Sequence, residues 1–335
     1  MPTRQQRRSA GPLRLALGQL LANRWAMVSL VVFLLIVAAC LAAPLYAQHI
    51  AHTDPFSSNI TGTTIVDGKR VALMQPSTTG LGLGVTPIGP TWDFGHYFLG
   101  ADSQGRDVFA RLLYGGRDTL YIGLGSAVVC CVLGALLGIV SGYLGGIVDA
   151  VLARILDAIW AFPVYLLAIC LSVVLLTSGL DLGIIRIGAG SLLLPLFVIG
   201  IVYVPYVARP VRGEVLAIRA KEFISASVGT GTPSLRIMRR EVLPNVLPTV
   251  IVFLPLMASI NMLTEAALSF LSVGVQAPNA SWGTIVQDGL GLIYSRPMVA
   301  IAPGLALALT AVSLNIFGDG VRDALNPSAR VRGGA

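Results

Sequence analysis

Few residues in this sequence have the type and spacing that chemistry requires. Lys69 and Lys221 are its only lysines. Neither follows the Gly-x4-Gly run of a phosphate-cradling loop, so the chain alone is not an ATPase of that kind. No Gly-x-Ser-x-Gly elbow and no His-Glu-x-x-His helix occurs. His49, His52 and His96 are the only histidines. His49 and His52 sit three apart, but no Cys or paired carboxylate completes a metal ligand set, which predicts solvated loop histidines. Cys40, Cys130, Cys131 and Cys170 all fall in apolar runs, where a free Cys behaves as a small apolar side chain. The expectation is no catalytic residue, no disulfide, no metal and no cofactor bound by this chain.

The remaining candidates are charges in unusual places. Glu265 follows Thr264 at the end of an uncharged run, and an acid there is costly unless it faces protein or water. Lining of a solute path and packing at a helix end both fit it. Arg154 and Asp157, three apart on one helix face, predict an ion pair just ahead of a kink at Pro163. The densest charges are Arg209, Arg212, Arg219, Lys221, Arg236, Arg239 and Arg240, all within residues 209–241.

Composition identifies the solvent around these groups. Of 335 residues 55% are apolar and 12% charged, with a mean hydropathy of +0.79. An ordinary soluble domain has about 25% charged residues, so a soluble enzyme is excluded and the solvent is lipid. A bilayer core about 30 Å thick needs roughly 20 apolar residues in helix. Uncharged runs at 25–46, 119–148, 158–180, 187–208, 242–264 and 297–318 predict an all-α membrane protein with six transmembrane helices. A further uncharged stretch, 266–287, contains Gln276, Pro278, Asn279 and Ser281 and reads as a helix end followed by an interfacial segment.

Basic residues stay preferentially on the cytoplasmic side of short loops. With six spans both termini share a side, and placing the 209–241 loop there too collects sixteen of the 23 basic residues. Both termini are therefore expected in the cytoplasm. The net charge of +7 is this asymmetry seen in bulk and does not point to nucleic acid. The first apolar run is too long for a cleaved signal, whose core is about 7 to 15 residues.

This topology divides the chain into a cytoplasmic segment 1–24, helix one at 25–46, an extracytoplasmic segment 47–118, a core of five helices at 119–325 and a cytoplasmic tail 326–335. Within the extracytoplasmic part, residues 47–98 are rich in Thr, Ser, Gly, Pro and Asp and read as a small insertion. There the residues at 63–66 and 70–73 flank Asp67-Gly68-Lys69, a hairpin signal because Asp-Gly tolerates positive φ. Asn59-Ile60-Thr61 matches a short glycosylation pattern of little weight. Gly134, Gly138 and Gly142 recur every four residues and predict a flat face for close helix contact.

The loop 209–241 is too long and basic for a minimal turn. Its residues 219–227 read as one short helix, and Thr232-Pro233 as the capped start of a second over 233–241. Leu235, Met238 and Val242 then form a stripe opposite Arg236, Arg239 and Arg240, with Gly231 separating the two helices. Such a pair either floats at the lipid interface or fits a groove on a cytoplasmic partner.

The stretch Glu222-Phe223-Ile224-Ser225-Ala226-Ser227, with Gly231 and Val242-Leu243-Pro244-Asn245 after it, resembles the EAA loop of ABC importer permeases. Before the second span, Leu99-Gly100-Ala101-Asp102-Ser103-Gln104-Gly105-Arg106-Asp107-Val108 and Arg111-Leu112-Leu113-Tyr114-Gly115 resemble the signature of the dipeptide/oligopeptide/nickel permeases. The run from Leu263 to Leu271, then Pro278, Ser281-Trp282-Gly283 and the tail Gly318-Asp319-Gly320-Val321-Arg322-Asp323-Ala324-Leu325-Asn326-Pro327, continue that pattern. The chain is similar to the C-type permease subunit over about residues 12–327. It departs from it where Ser225-Ala226-Ser227 replaces Glu-Ala-Ala and Asn326 replaces Asp.

The resemblance implies a type I ABC importer permease fold in a bacterial inner membrane. Its implied partners are a homologous second permease subunit, two cytoplasmic ATP-binding subunits that hold the ATP and magnesium, and an extracytoplasmic solute-binding protein. Glu222, Phe223, Ala226, Gly231, Leu235 and Arg239 would then form the ATPase contact, and Glu265 is a candidate for the path. Short peptides are the expected cargo, with nickel complexes or other small solutes as the alternative. An ATP-independent secondary transporter is the competing class. It would show buried proton-relay acids or an inverted repeat, and neither is evident here.

Overall fold

The computed structural model describes residues 12–325 except 67, 78–83, 182 and 184–185. The N-terminal basic residues up to Arg8, the turn residue Asp67 and the tail from Asn326 onward lie outside the described residues.

The chain opens with α1 (Pro12–Ala22) and α2 (Arg24–Leu41), separated by Asn23, whose side chain accepts from the Ala26 amide. A short α3 (Ala43–Leu45) and a π-helical turn, Tyr46–Ile50, lead out of α2. Two small hairpins follow. Strands β1 (Thr63–Val66) and β2 (Lys69–Ala72) pair antiparallel with Val66 opposite Lys69, the hairpin that the Asp-Gly signal predicts, its second strand starting one residue before the expected 70–73. Strands β3 (Met74–Pro76) and β4 (Val85–Pro87) pair in the same sense. Their shared core is Leu73, Ile88, Tyr97 and Ala101.

The long helix α4 (Val108–Leu144) is packed on by α2, α7, α8 and α11. It begins well ahead of the expected span because Asp107 caps it, accepting from the amides of Phe109 and Ala110 at 2.9 and 3.0 Å. It stops at Gly145, which takes a φ of +68° that an L side chain adopts only with strain. Gly134, Gly138 and Gly142 face α8 as expected: a Cβ on Gly138 would stand 2.7 Å from the Ala208 carbonyl oxygen.

The third and fourth expected spans are both broken. The third, expected at 158–180, falls on the end of α5 (Gly146–Trp160) and on α6 (Val164–Ser178), two helices that meet at 89° around Pro163. The pairing predicted between Arg154 and Asp157 does not form. Asp157 instead accepts from Arg209 of α8 at 2.7 Å, which takes up the acid that Arg154 would have paired with. A short ladder, β5 (Leu180–Asp181) with β6 (Arg186–Ile187), leads to α7 (Leu193–Val202) and α8 (Val204–Arg219), bent by 40° where Pro205 enters the first turn of α8.

The short α9 (Glu222–Gly229) precedes α10 (Ser234–Ile237), a π-helical turn (Met238–Val242) and α11 (Leu243–Phe270). These last three form one candidate span, Ser234–Phe270, so the expected separate helix over 233–241 is the foot of the fifth span. Past α11 come the short α12 (Trp282–Leu290) and the last described helix, α13 (Met298–Leu325); the 266–287 stretch holds the end of α11 as expected, and its second part enters the short helix α12.

Among the described residues four helices are long and apolar enough to cross a membrane, and up to six spans result if each bent pair counts as one. The core lies where α4, α7, α8 and α11 meet, on Ile122, Cys130, Ile199, Val207, Val211 and Met262. Two polar pairs are buried there: Tyr203 and Thr264 hydroxyls lie 2.8 Å apart, and the Asn261 amide is 3.0 Å from Ser126.

Candidate functional site

The segment from α9 to the foot of α11 leaves most of its side chains exposed. Gly231, at a φ of +76°, turns the chain between α9 and α10, and a Cβ there would meet no atom within 4 Å. Ile224, Ile237 and Val242 anchor the unit, each 2% exposed or less. Ser227 donates to Glu241 Oε1 at 2.6 Å, which ties α9 to the π-helical turn. The predicted stripe holds in part. Val242 is buried and Met238 packs half-buried against the core as expected, but Leu235 is 74% exposed and Ile237 takes the inner face instead, because α10 meets a π-helical turn that shifts the register. Nor does Thr232 cap the helix: Pro233 occupies the cap position without a side-chain bond, and the Thr232 hydroxyl lies 3.3 Å from that of Thr230.

The outward surface of this unit combines Phe223, Val228 and Leu235 with exposed Lys221, Arg236, Arg239 and Arg240. Among the described residues none of these cations is in an ion pair. Glu222 and Ala226 are exposed beside them. All six residues singled out for this loop are exposed.

Glu265 is elsewhere, fully buried on α11. Its Oε1 accepts from Ser269 Oγ at 2.6 Å, and it joins no ion pair among the described residues. Around it, Ser269 Oγ accepts from the Val275 amide at 2.9 Å and Thr119 Oγ1 from the Trp282 amide at 3.1 Å. The Trp282 indole donates to the Leu112 carbonyl at 2.9 Å, in a notch left by Gly116. The start of α12 is thus keyed between α4 and α11.

A second constellation escapes sequence reasoning. Asp102 Oδ1 accepts from the amides of Gln104 and Arg106 at 2.8 and 3.0 Å, and its Oδ2 lies 2.7 Å from Arg106 Nε. Arg111 Nε stands 3.4 Å from the same oxygen without hydrogen-bond alignment. Arg106 and Arg111 both reach Asp288 Oδ2 on α12, at 3.0 and 2.9 Å, and Arg111 also donates to the Pro55 carbonyl at 3.1 Å. This knot binds the turn before α4, α4 itself and the far end of α12. Beside it Asp107 is raised to about 6, chiefly by burial, against the two helix amides that hold its charged form.

His49, His52 and His96 are exposed, and no group of metal-ligating side chains occurs among the described residues.

Residues 134–331 match the family model of the binding-protein-dependent transport system inner membrane component, and residues 11–60 that of the N-terminal TM domain of oligopeptide transport permease C. A putative peptide transport system permease protein of Brucella suis is 34% identical over 96% of this chain and 94% of its own. The dipeptide transport system permease protein DppC of Alkalihalophilus pseudofirmus is 33% identical over 98% and 94%, respectively. The oligopeptide transport system permease protein OppC of Bacillus subtilis is 32% identical over 92% and 87%. Among solved structures, a chain of the inward-facing MetNI methionine ABC transporter aligns with a TM-score of 0.52 at 19% identity, over 64% of this chain and 96% of that one. That last likeness speaks for the fold alone.

Proposed function

Since the chain belongs to the binding-protein-dependent transport system inner membrane components and is thus a permease subunit of an ABC importer, we propose that it imports di- or oligopeptides, the cargo its relatives are named for. On this reading six spans cross a bacterial inner membrane, both termini and the 209–241 segment lie in the cytoplasm, and residues 47–118 form an external segment. The chain works with a homologous second permease subunit, two cytoplasmic subunits that bind and hydrolyse ATP with magnesium, and an external solute-binding protein. It supplies no ATP chemistry itself.

The exposed unit after α8 carries the proposal. Phe223, Val228 and Leu235 are large apolar side chains left open beside unpaired cations, and they stand at the foot of a helix that continues through the membrane. Glu222, Phe223, Ala226, Gly231, Leu235 and Arg239 would seat in an ATPase groove, and Ser227 holding Glu241 would carry motion of α9 into α11. For ATP to drive the change, it must bind the two states with different affinity. Glu265 has the burial of a group that holds α12 in place, and a role beside the solute path is the second reading.

The test is uptake of labelled peptides into vesicles holding this chain with its partners and binding protein, for the parent and for Gly231→Leu. ATP-dependent uptake by the parent, with hydrolysis uncoupled from uptake in the variant, is the expected result. Hydrolysis stimulated by the loaded binding protein without peptide uptake would move the cargo to nickel complexes or another small solute. Uptake that needs no ATP would leave a secondary transporter.

A further inference from the structure

The helix α5 crosses at 89° to α6, and Leu156 is its one buried residue. Positions four apart share a helix face, so Ile147, Val151 and Ile155 form one stripe, exposed by 84, 53 and 51%. Val148 widens it. The opposite side belongs to α8. Arg212 Nε and Nη2 donate to the two oxygens of Asp149 at 2.6 Å each, and the Ser141 hydroxyl donates to the same carboxylate. Arg209 donates to Asp157, and its guanidinium lies 3.8 Å over the Trp160 ring, which stacks on Tyr206. Leu156 packs with Val204 and Ala208.

We infer that α5 lies flat in the boundary between headgroups and acyl chains of the leaflet where α4 ends, with the 147/151/155 stripe in the lipid. An apolar stripe on a short charged helix lying across the spans is how interfacial helices bind bilayers. Charge complementarity selects an anionic leaflet. Both acids of α5 are neutralised from behind by α8, and Arg154, exposed and in no ion pair among the described residues, is left at the edge of the stripe. Trp160 ends the helix half-exposed, as an interfacial anchor does. The apolar surface runs on at both ends, through Leu144 and Phe162. Bound this way, α5 fixes the depth of α8, the helix that leads into the exposed unit. The proposal concerns the bilayer and stands whether or not an ATPase is the partner below.

The experiment uses the assembled transporter in nanodiscs containing photoactivatable phosphatidylglycerol. Cross-links on the 147–155 stretch of the unmodified chain are expected, alongside those on exposed Val132 and Leu136 of α4. Labelling of α4 without labelling of α5 would overturn the proposal. Arg154→Gln should shift the α5 cross-links from phosphatidylglycerol toward phosphatidylcholine probes, and an unchanged ratio would remove the anionic preference. In a chain freed of its native cysteines, spin labels at 147, 151 and 155 should meet oxygen more than a chelated nickel probe, with the reverse at Ala150. Labels closed to both probes would mean that another subunit covers the stripe and would end the lipid reading.

Discussion

Arg111 Nη2 lies 2.9 Å from Oδ2 of Asp288, a residue on the far side of the sequence. Through this contact the first turn of α4 and the last turns of α12 hold each other. Asp102, the other acid that Arg106 and Arg111 share, is almost wholly buried, so that end of the knot has no water to fall back on. Removing one member of a buried pair strands the other and costs about 3–5 kcal/mol. Asp102→Ala is expected to lose that much in denaturant unfolding of the detergent-solubilised protein. Asp288, whose side chain is 32% exposed, should cost about 1 kcal/mol or less as Asp288→Asn. Equal losses for the two would mean that the knot does not depend on burial.

The same knot marks where reading the sequence fails. The uncharged runs are legible because lipid enforces them residue by residue, and Pro163 announces its break. Asp288 carries no local sign that Arg111 needs it, since the pairing exists only once α12 folds back on α4. Arg154 and Asp157 mislead for a related reason: spacing on one helix cannot show that Arg209 approaches from another. In the exposed unit Gly231 is legible as a turn. The π-helical turn at Met238–Val242 is not, and it is what exchanges Leu235 for Ile237 on the inner face.

The seam between α4 and α8 depends on bare backbone. A Cβ on Gly138 would sit 2.7 Å from the Ala208 carbonyl oxygen and the same distance from a Val211 methyl. Gly138→Leu should therefore force the helices apart at a cost of about 1–3 kcal/mol. Gly213, inside α8 with nothing within 4 Å of a Cβ, is the control. Gly213→Ala should gain about 0.5–1 kcal/mol through helix propensity alone. Unfolding midpoints of both variants check the pair, and a neutral Gly138→Leu would refute the tight seam.

Asp107 predicts a pH dependence of definite sign. Burial raises it from 3.8 to about 6, so between those values the folded chain keeps a proton that the unfolded chain has released. Stability from this group is therefore greatest below 3.8, falls as pH rises to about 6, and is flat above. Asp107→Asn retains an oxygen to accept from the Phe109 and Ala110 amides but cannot ionise. Its unfolding midpoint should rise relative to the parent through that window and then hold a constant lead. A lead that shrinks with rising pH would contradict the assignment.

Leu235 and Ile237 separate folding from partner contact within a single turn of helix. Ile237 is 1% exposed, so Ile237→Ala leaves a cavity and should cost about 2–5 kcal/mol in stability. Leu235 is 74% exposed in the lone chain, so Leu235→Ala should leave the unfolding midpoint within about 0.5 kcal/mol of the parent. If its side chain fills an ATPase groove, the same change should weaken ATPase attachment about tenfold or more, the loss typical of a buried contact at an interface. The measurement is affinity of the solubilised permease for its ATPase subunits, with the midpoint recorded on the same samples. A Leu235→Ala chain that binds its ATPase as tightly as the parent would remove this residue from the contact, whereas a drop in midpoint would place it in the fold.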